Sequence, residues 1–213
     1  MESKNSENFR SGYVALIGRP NAGKSTLLNH LVGEKIAAVS NKPQTTRHKI
    51  QGIVTSENGQ IVFVDTPGVH KPGYLLNRRM MSAVHDAIMS VDVVVLMRDA
   101  SVSTGNGDKF VLDLVKQSEK TAILVLNKID LPSAEPDRIK EQIENIIGID
   151  ASEAVLASAK TGVGVDEILE QIVEKIPAPK GDPNAPLKAL IFDSWYDSYR
   201  GVIVLFRIIE GTL

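Results

Sequence analysis

Short apolar runs alternate with longer amphipathic stretches over most of this chain. The apolar runs have the length of buried strands and lie at residues 13–18, 49–56, 60–65, 91–97, 121–126 and 154–157. Helix-forming stretches lie at residues 24–32, 75–89, 108–117, 135–147 and 165–176. Residues 57–59, Glu-Asn-Gly, indicate a hairpin turn, so the second and third strands should be antiparallel. The pattern predicts an α/β fold with a mostly parallel six-stranded sheet and helices on both faces.

The two ends of the chain depart from this alternation. Residues 1–12 are mostly polar and lack periodicity, so we expect a disordered N-terminus. Residues 178–186 contain three prolines and a glycine, which is typical of a linker. Apolar strands at residues 187–191 and 202–209 follow, and we expect residues 187–213 to form an incomplete β segment. The sheet-bearing domain is therefore expected over residues 13–177.

Composition narrows the class of protein. The 213 residues are 43% hydrophobic with a net charge of −2, which excludes bulk attraction to nucleic acid or anionic lipid. The sequence has no cysteine, which excludes disulfides and thiolate metal sites and suits a reducing cytosol. We find no signal peptide and no run of eighteen apolar residues. We therefore expect a cytoplasmic protein without a transmembrane segment, with a peripheral position at the inner membrane face as an alternative.

The segment between the first strand and the first helix carries the strongest chemical signal. Residues 18–25, Gly-Arg-Pro-Asn-Ala-Gly-Lys-Ser, have the spacing and the strand-to-helix context of a phosphate-binding loop. Its backbone N–H groups and the positive end of the helix would surround phosphate oxygens. We therefore predict a P-loop NTPase in which Lys24 reaches the β- and γ-phosphates and Ser25 binds Mg²⁺. Further nucleotide contacts are expected from Asn21, Ala22, Gly23 and Thr26.

A second motif, Asn-Lys-Ile-Asp at residues 127–130, follows the fifth strand and indicates the base. Guanine offers two adjacent donors, N1–H and its exocyclic amine, which the carboxylate of Asp130 would accept together. Adenine presents an acceptor there, which would leave that carboxylate without partners. Asn127 would tie this loop to the phosphate loop, and the aliphatic stem of Lys128 would cover one face of the base. We therefore expect GTP and GDP to bind in preference to ATP.

The loop after the sixth strand completes the predicted base site. It contains Ser158, Ala159 and Lys160 in the order expected for a third base-contacting loop. The N–H of Ala159 would donate to the guanine carbonyl.

Two segments between these loops are expected to sense the γ-phosphate. Asp65 opens an Asp-Thr-Pro-Gly turn, where its carboxylate would hold Mg²⁺ through water and the Gly68 N–H would reach the γ-phosphate. The polar stretch 40–48 would supply a hydroxyl to Mg²⁺; we favour Thr46 and keep Thr45 as the alternative. Val69 occupies the position where many GTPases place a water-orienting glutamine, and valine cannot hydrogen-bond water. We therefore expect slow GTP hydrolysis, with Lys24, Thr46 and Gly68 as catalytic residues.

These motifs resemble two families of bacterial GTPases. Roughly residues 10–130 are similar to the GTPase Era, on the evidence of residues 18–26, 44–48 and 65–72. The remainder resembles the translation factor LepA, also called elongation factor 4, at residues 131–136, 147–151, 158–162 and 176–177. Residues 186–196 are similar to the start of LepA's second domain, a β-barrel. Both families carry Asn-Lys-Ile-Asp, so the likeness changes inside a shared motif.

The charge distribution is consistent with an origin of the two parts of the chain in two different proteins. Residues 1–130 contain sixteen Lys and Arg and twelve Asp and Glu, whereas residues 131–213 contain eight and fourteen. We therefore interpret the chain as a chimera or a fragment of one, with a divergent natural protein as the alternative.

The resemblance implies a Ras-like G domain that binds and hydrolyses GTP. It also implies a link to ribosome assembly and small-subunit rRNA, although we find no counterpart of Era's RNA-binding KH domain or of LepA's later domains. Asn21 resembles the asparagine through which some Era-related GTPases hold a potassium ion. The resemblance therefore implies a catalytic role for Asn21 and K⁺ as a cofactor beside Mg²⁺.

Three functions stay open at this point. The first is a GTP-hydrolysing switch related to ribosome assembly and rRNA binding. The second is a LepA-like translation-factor fragment that docks on the ribosome, and the third is a nucleotide-binding module without turnover. The strands after residue 187 would leave unpaired edges, so we expect this tail to be mobile, to pack on the nucleotide domain or to mediate self-association.

Overall fold

The computed structural model describes residues 10–39, 50–56, 59–69, 75–177 and 181–212. Within them the elements are β1 (Arg10–Gly18), α1 (Lys24–Val32), β2 (Ile50–Ser56), β3 (Gly59–Asp65), α2 (Leu75–Ser90), β4 (Val93–Asp99), α3 (Asn106–Gln117), β5 (Thr121–Asn127), α4 (Pro136–Ile147), β6 (Val155–Ala157), α5 (Val165–Lys175), β7 (Lys188–Asp197) and β8 (Gly201–Glu210). The chain divides into two compact units, with the boundary after Pro177. We call them the first unit and the hairpin unit.

The first unit is built on a six-stranded sheet. Its strand order is β2-β3-β1-β4-β5-β6, with β2 antiparallel to β3 and the other neighbouring strands parallel. The predicted α/β fold with a mostly parallel six-stranded sheet is therefore confirmed, including the antiparallel β2–β3 pair. Because β1, β3, β4, β5 and β6 are parallel, their carboxyl ends lie on the same side of the sheet. The loops that follow these strands therefore meet there.

Apolar side chains fill both faces of the sheet because successive strand residues point to opposite sides. One face packs against α1 and α5 through side chains such as Leu16, Val95 and Ile168, all completely buried. The other face packs against α2, α3 and α4 and includes Ile17 and Ile143. The central strands are thus covered on both sides, which is typical of parallel sheets.

The first strand begins earlier than the sequence pattern predicted. β1 starts at Arg10, whose Cα pairs with Gly59 of β3. The Arg10 guanidinium also donates to the carbonyl oxygens of Val173 and Ile176, at 3.3 and 3.2 Å. The expectation of disorder is therefore wrong for residues 10–12. These residues pair with β3, and the Arg10 side chain is hydrogen-bonded to the end of α5. Residues 1–9 lie outside the described residues.

The fourth strand and the third helix also differ from their predicted bounds. β4 continues past its apolar run to include Arg98 and Asp99. Its predicted first residue, Val91, precedes the strand and is buried. α3 begins two residues early because the carboxylate of Asp108 accepts a hydrogen bond from the Gly105 N–H, at 3.0 Å, ahead of the first turn. Polar side chains that form specific contacts therefore extend both elements.

The hairpin unit consists of two antiparallel strands, β7 and β8. Both are longer than predicted, since β7 continues through Trp195 and Tyr196 to Asp197 beyond an irregularity between Ile191 and Asp193. The Asp197 carboxylate shapes the connecting turn by accepting hydrogen bonds from the N–H groups of Tyr199 and Arg200, at 2.8 and 2.7 Å.

None of the helices in the part of the chain that the structure describes is both long enough and apolar enough to cross a membrane.

Candidate nucleotide site

The predicted phosphate loop forms a sharp turn between β1 and α1. Gly23 caps the helix with φ 99, in the left-handed region that favours glycine. A Cβ at this position would lie 2.1 Å from Nδ2 of Asn127, so a side chain would collide with the base loop. Asn21 is exposed and also has a positive φ, 62. The turn places backbone N–H groups at the N-terminus of α1, where anions bind favourably.

Lys24 lies inside this turn. Its ammonium donates to the carbonyl oxygens of Gly18 and Arg19, at 3.2 and 3.0 Å, and the residue is 6% exposed. Burial lowers the pKa of Lys24 from 10.5 to about 8, although the charge of Asp65 opposes this shift. The positive charge of the Lys24 ammonium is therefore only partly compensated by the protein. A bound phosphate group would supply the missing negative charge.

Two of the predicted magnesium ligands touch each other. The Ser25 hydroxyl donates to Oδ2 of Asp65 at 2.6 Å, and Asp65 is fully buried at the end of β3. The following Thr66 anchors the turn, since its hydroxyl donates to the Leu16 carbonyl oxygen at 2.8 Å. Hydroxyl and carboxylate oxygens are the hard ligands that Mg²⁺ prefers, so this pair fits the metal. The third predicted ligand, Thr46 or alternatively Thr45, lies outside the described residues.

A metal held by protein carboxylates and imidazoles alone has no support in the described ranges, 10–39, 50–56, 59–69, 75–177 and 181–212. They contain no group of three or more His, Cys, Asp or Glu that could hold one.

Gly68 packs directly against the phosphate loop. A Cβ there would lie 2.7 Å from the backbone of Pro20, so glycine permits the close approach. The next N–H, of Val69, donates to the Gly18 carbonyl oxygen at 3.0 Å. The Val69 side chain is 1% exposed and packs in the core, which leaves it unable to orient a water molecule.

Asn127 joins three loops with one side chain. Its Nδ2 donates to the carbonyl oxygen of Ala22 in the phosphate loop, at 2.7 Å, and its Oδ1 accepts from the Ala159 N–H at 2.9 Å. The residue is 2% exposed. The structure thus shows the contact expected between Asn127 and the phosphate loop.

The same contact involves the backbone N–H of Ala159. In the structure this N–H donates to Asn127, and its donation to a guanine carbonyl stays a prediction. A base could use the donor only by sharing it. Ala159 remains next to the site, buried at the end of the loop that contains it.

The base loop presents Asp130 at its exposed end. One carboxylate oxygen accepts from the hydroxyl of Ser158, at 2.8 Å, which fixes the side chain. Ser158 is itself buried, and its N–H donates to the Val163 carbonyl oxygen at 2.9 Å. An exposed, oriented carboxylate can accept hydrogen bonds from a ligand that carries two neighbouring donors.

The Lys128 side chain is held by a partner that the sequence did not reveal. Its ammonium lies 2.6 Å from Oδ2 of Asp99, at the end of β4, and its backbone has a positive φ of 69. Burial raises the pKa of Asp99, but hydrogen bonds from Lys128 and Ser101 outweigh it and hold that pKa below its ordinary value. The signal for Asp99 was a carboxylate two residues after an apolar run, at the same sheet edge as the motifs.

The remaining predicted residues lie around these loops. Ala22 is buried, Thr26 is half-buried in the first turn of α1, and Lys160 is exposed. The structure therefore brings together the predicted site residues that it describes, namely Asn21, Ala22, Gly23, Lys24, Ser25, Thr26, Asp65, Gly68, Asn127, Lys128, Asp130, Ser158, Ala159 and Lys160.

Comparison with known proteins places this arrangement in a family. A family profile described as 50S ribosome-binding GTPase matches residues 13–128. The chain is 44% identical to GTPase Era of Crocosphaera subtropica over 174 residues, which are 81% of this chain and 55% of that protein. It is 39% identical to elongation factor 4 of Halalkalibacterium halodurans over 232 aligned positions, covering all of this chain and 37% of that protein. The chain thus spans about half of the one relative and about a third of the other.

A solved structure agrees with these similarities. The crystal structure of Era in complex with MgGDPNP and nucleotides 1506–1542 of 16S ribosomal RNA superimposes with a TM-score of 0.72 and 27% identity. The match covers 94% of this chain and 78% of that one. The chain therefore belongs to the 50S ribosome-binding GTPase family, with a G domain of the type found in Era and elongation factor 4.

Proposed function

We propose that this protein binds GTP and GDP and hydrolyses GTP to GDP and phosphate. The observation that carries the proposal is the bridge made by Asn127, which fixes the phosphate loop and the base loop relative to each other. The separation of Lys24 from Asp130 is thereby set for a ligand with a phosphate tail and a base with two adjacent donors. The similarity to Era, solved with MgGDPNP, supports this ligand.

Each residue of the site has a defined task in this proposal. Lys24 pairs with the phosphates, using an N–H of its ammonium beyond the two that donate to Gly18 and Arg19. Ser25 and Asp65 would hold Mg²⁺, with Thr46 as the proposed third ligand, and the bound metal would neutralise charge on the phosphates. The N–H of Gly68 faces the γ-phosphate, and the carboxylate of Asp130 accepts the guanine donors.

Turnover by the isolated chain should be slow. The buried side chain of Val69 offers no polar atom to the attacking water. The proposed catalytic contribution of the protein is therefore positioning and charge neutralisation rather than proton transfer.

A competition experiment with radiolabelled GDP tests the proposal. GTP and GDP should displace the label far better than ATP, and added GTP should release phosphate. Asp130→Asn should weaken GDP binding and favour xanthosine diphosphate, whose base carries a carbonyl where guanine has its amine. Asp137→Asn, an exposed aspartate in α4, is the matched control. Equal displacement by ATP would contradict the base assignment.

We also propose a role on the ribosome. The Era complex with 16S rRNA supports small-subunit rRNA as the partner, in a switch related to ribosome assembly. The match of the whole chain to elongation factor 4 supports the alternative, a translation-factor fragment that responds to assembled ribosomes. Phosphate release measured with isolated small subunits and with whole ribosomes separates the two. No stimulation by either favours a nucleotide-binding module without ribosomal partner.

Potassium is a proposed second cation. Asn21 is an exposed residue within the phosphate loop, and it has a positive φ there. A potassium ion held there would add positive charge beside the transferring phosphoryl group. Hydrolysis should then be faster in K⁺ than in Na⁺, and Asn21→Ala should remove the difference. Equal rates in both salts would exclude potassium from the mechanism.

The hairpin unit is proposed to mediate self-association. Its exposed apolar side chains include Leu190, Ile191 and Val202, at 57%, 63% and 69% exposure. Such strands pair readily with other chains. Light scattering as a function of concentration tests this directly.

For cellular location we propose the cytoplasm, where GTP is available, with peripheral attachment at the inner membrane face as the alternative that fractionation would reveal.

A further inference from the structure

A chain of five charged side chains runs beside the candidate site, from the phosphate loop to the base loop. Arg19 lies 3.1 Å from Oδ2 of Asp108, whose other oxygen lies 3.2 Å from Nε of Arg98. The Arg98 guanidinium also donates to the backbone carbonyl oxygen of Asp99, at 2.9 Å. The Asp99 carboxylate in turn pairs with Lys128. Two ion-paired groups, Arg19–Asp108–Arg98 and Asp99–Lys128, are therefore joined between the two loops by one hydrogen bond to the Asp99 backbone.

The centre of this chain is buried. Asp108 is 2% exposed and Arg98 6%, whereas the Arg19 side chain is 43% exposed. A buried carboxylate is tolerated only with good partners, and Asp108 has two guanidinium groups and the Gly105 N–H. Its geometry is therefore fixed by the core, and of its two arginines only Arg19 belongs to the phosphate loop.

The start of α3 is shaped around Arg19. A Cβ on Gly107 would lie 3.1 Å from Nε of Arg19, so the glycine leaves room for the guanidinium. Asp108, one residue later, forms an ion pair with this guanidinium. Both features concern a side chain that lies next to Gly18, whose carbonyl oxygen accepts from Lys24.

We propose that Asp108 is a positioning residue for nucleotide binding, acting through Arg19 on the conformation of the phosphate loop. This inference rests on the proposed function. Asp108 needs no contact with the nucleotide; it holds Arg19, and Arg19 belongs to the loop whose carbonyl oxygens, at Gly18 and Arg19, accept from Lys24. Arg98 links the same carboxylate to the end of β4, so phosphate and base loops share one electrostatic support.

Calorimetric titration of the full chain with GDP and with inosine diphosphate tests the inference, because the second ligand lacks the exocyclic amine. The variants are Arg19→Ala, Arg19→Lys and Asp108→Asn. Arg138→Ala is the matched control, since Arg138 contacts Ser103 and Glu135 in neighbouring segments. The thermal midpoint of each variant is measured in parallel.

We expect Arg19→Ala to raise both dissociation constants about tenfold while their ratio stays unchanged. Its thermal midpoint should stay near that of the wild type, because a half-exposed ion pair contributes little to stability. Arg19→Lys should restore most of the affinity, which a purely steric role of the arginine would not allow. Asp108→Asn should lower the affinity for both ligands, and adding Arg19→Ala should cause no further loss.

Two results would overturn the inference. One is an Arg19→Ala affinity within twofold of wild type; the other is a changed ratio between the two ligands, which would locate the effect at the base. Wild-type protein that binds no GDP would instead overturn the proposed function, and this inference with it. If Asp108→Asn does not fold, Arg19→Ala and Arg19→Lys alone decide the outcome.

Discussion

β5 and β8 are both rich in Val, Leu and Ile, yet they occupy opposite environments. Val125 of β5 is completely buried between β4 and β6, with helices over both faces, whereas Val204 of β8 is 39% exposed in a two-stranded sheet. The first unit therefore gains hydrophobic stabilisation from its strands, and the hairpin unit gains much less. The comparison shows that the apolar pattern alone does not determine burial; the number of neighbouring elements does.

The sharpest test of this contrast is the side chain that joins the loops of the first unit. Asn127→Ala removes two hydrogen bonds and leaves the buried Ala22 carbonyl oxygen and Ala159 N–H without their partner. We expect the binding free energy for GDP to weaken by about 3 kcal/mol, which is about 100-fold in affinity, as measured by calorimetry. Asn184→Ala, the same change in the hairpin unit, should leave affinity unchanged. Equal affinities for both variants would mean that the loops are held by other contacts.

A pair of identical substitutions compares the two environments directly. Val95→Thr places a hydroxyl at a completely buried position and should cost about 2 kcal/mol of unfolding free energy. Val204→Thr makes the same change at a half-exposed position of β8 and should cost less than about 0.5 kcal/mol. Chemical denaturation of the two variants measures both values. Similar costs would show that the hairpin unit is protected from solvent in solution.

The lowered pKa of Lys24 makes nucleotide binding at the phosphate loop depend on pH above about 8. Above pH 8 the ammonium of the free protein loses its proton, while a bound phosphate favours the charged form. GDP affinity should therefore fall by up to about tenfold per pH unit between pH 8 and 9. Lys24→Arg keeps its charge in this range, so its affinity should be flat. A flat profile for the wild type would contradict the burial of Lys24.

Stability of the nucleotide-free protein should respond in the opposite direction. Between pH 8 and 10.5 the unfolded chain binds the Lys24 proton and the native state does not. The contribution of this group to the free energy of unfolding therefore rises with pH.

Removal of the hairpin unit should have the smallest effect on the site. The nucleotide contacts that we propose lie before residue 161, so deletion of residues 181–213 should leave GDP affinity within about twofold and improve solubility. Calorimetry and sedimentation of the shortened chain measure both. Loss of binding or of cooperative unfolding would show that the hairpin unit supports the first unit.

The sequence predicted the parts of this protein that depend on local pattern. The apolar runs located the strands of the six-stranded sheet, because its parallel central strands, covered on both faces, are nearly uniformly apolar; the antiparallel edge strand β2 was located with the help of the turn that follows it. The loops around Lys24 and Asn127 were predicted because their residues are contiguous in the chain. The Asn127 contact with the phosphate loop followed from the position of both motifs at one sheet edge.

The parts that could not be predicted depend on contacts between distant residues. The extension of β1 to Arg10 relies on carbonyl groups at the end of α5. Asp99 and Asp108 are polar residues at element ends, and only the fold shows that one meets Lys128 and the other Arg19. The hydrogen bond from the Ala159 N–H to Asn127 was not predicted, because spacing along the chain does not show which neighbour reaches an N–H first.

The contact between Gly23 and Asn127 has a consequence for evolution. Because a Cβ at residue 23 would lie 2.1 Å from the amide nitrogen of Asn127, the two positions cannot change independently. A larger residue at 23 requires a shorter one at 127, and that replacement abolishes the tie between the loops. The effect of a substitution at one position therefore depends on the residue at the other. A deep mutational scan should recover almost no functional double variants at this pair.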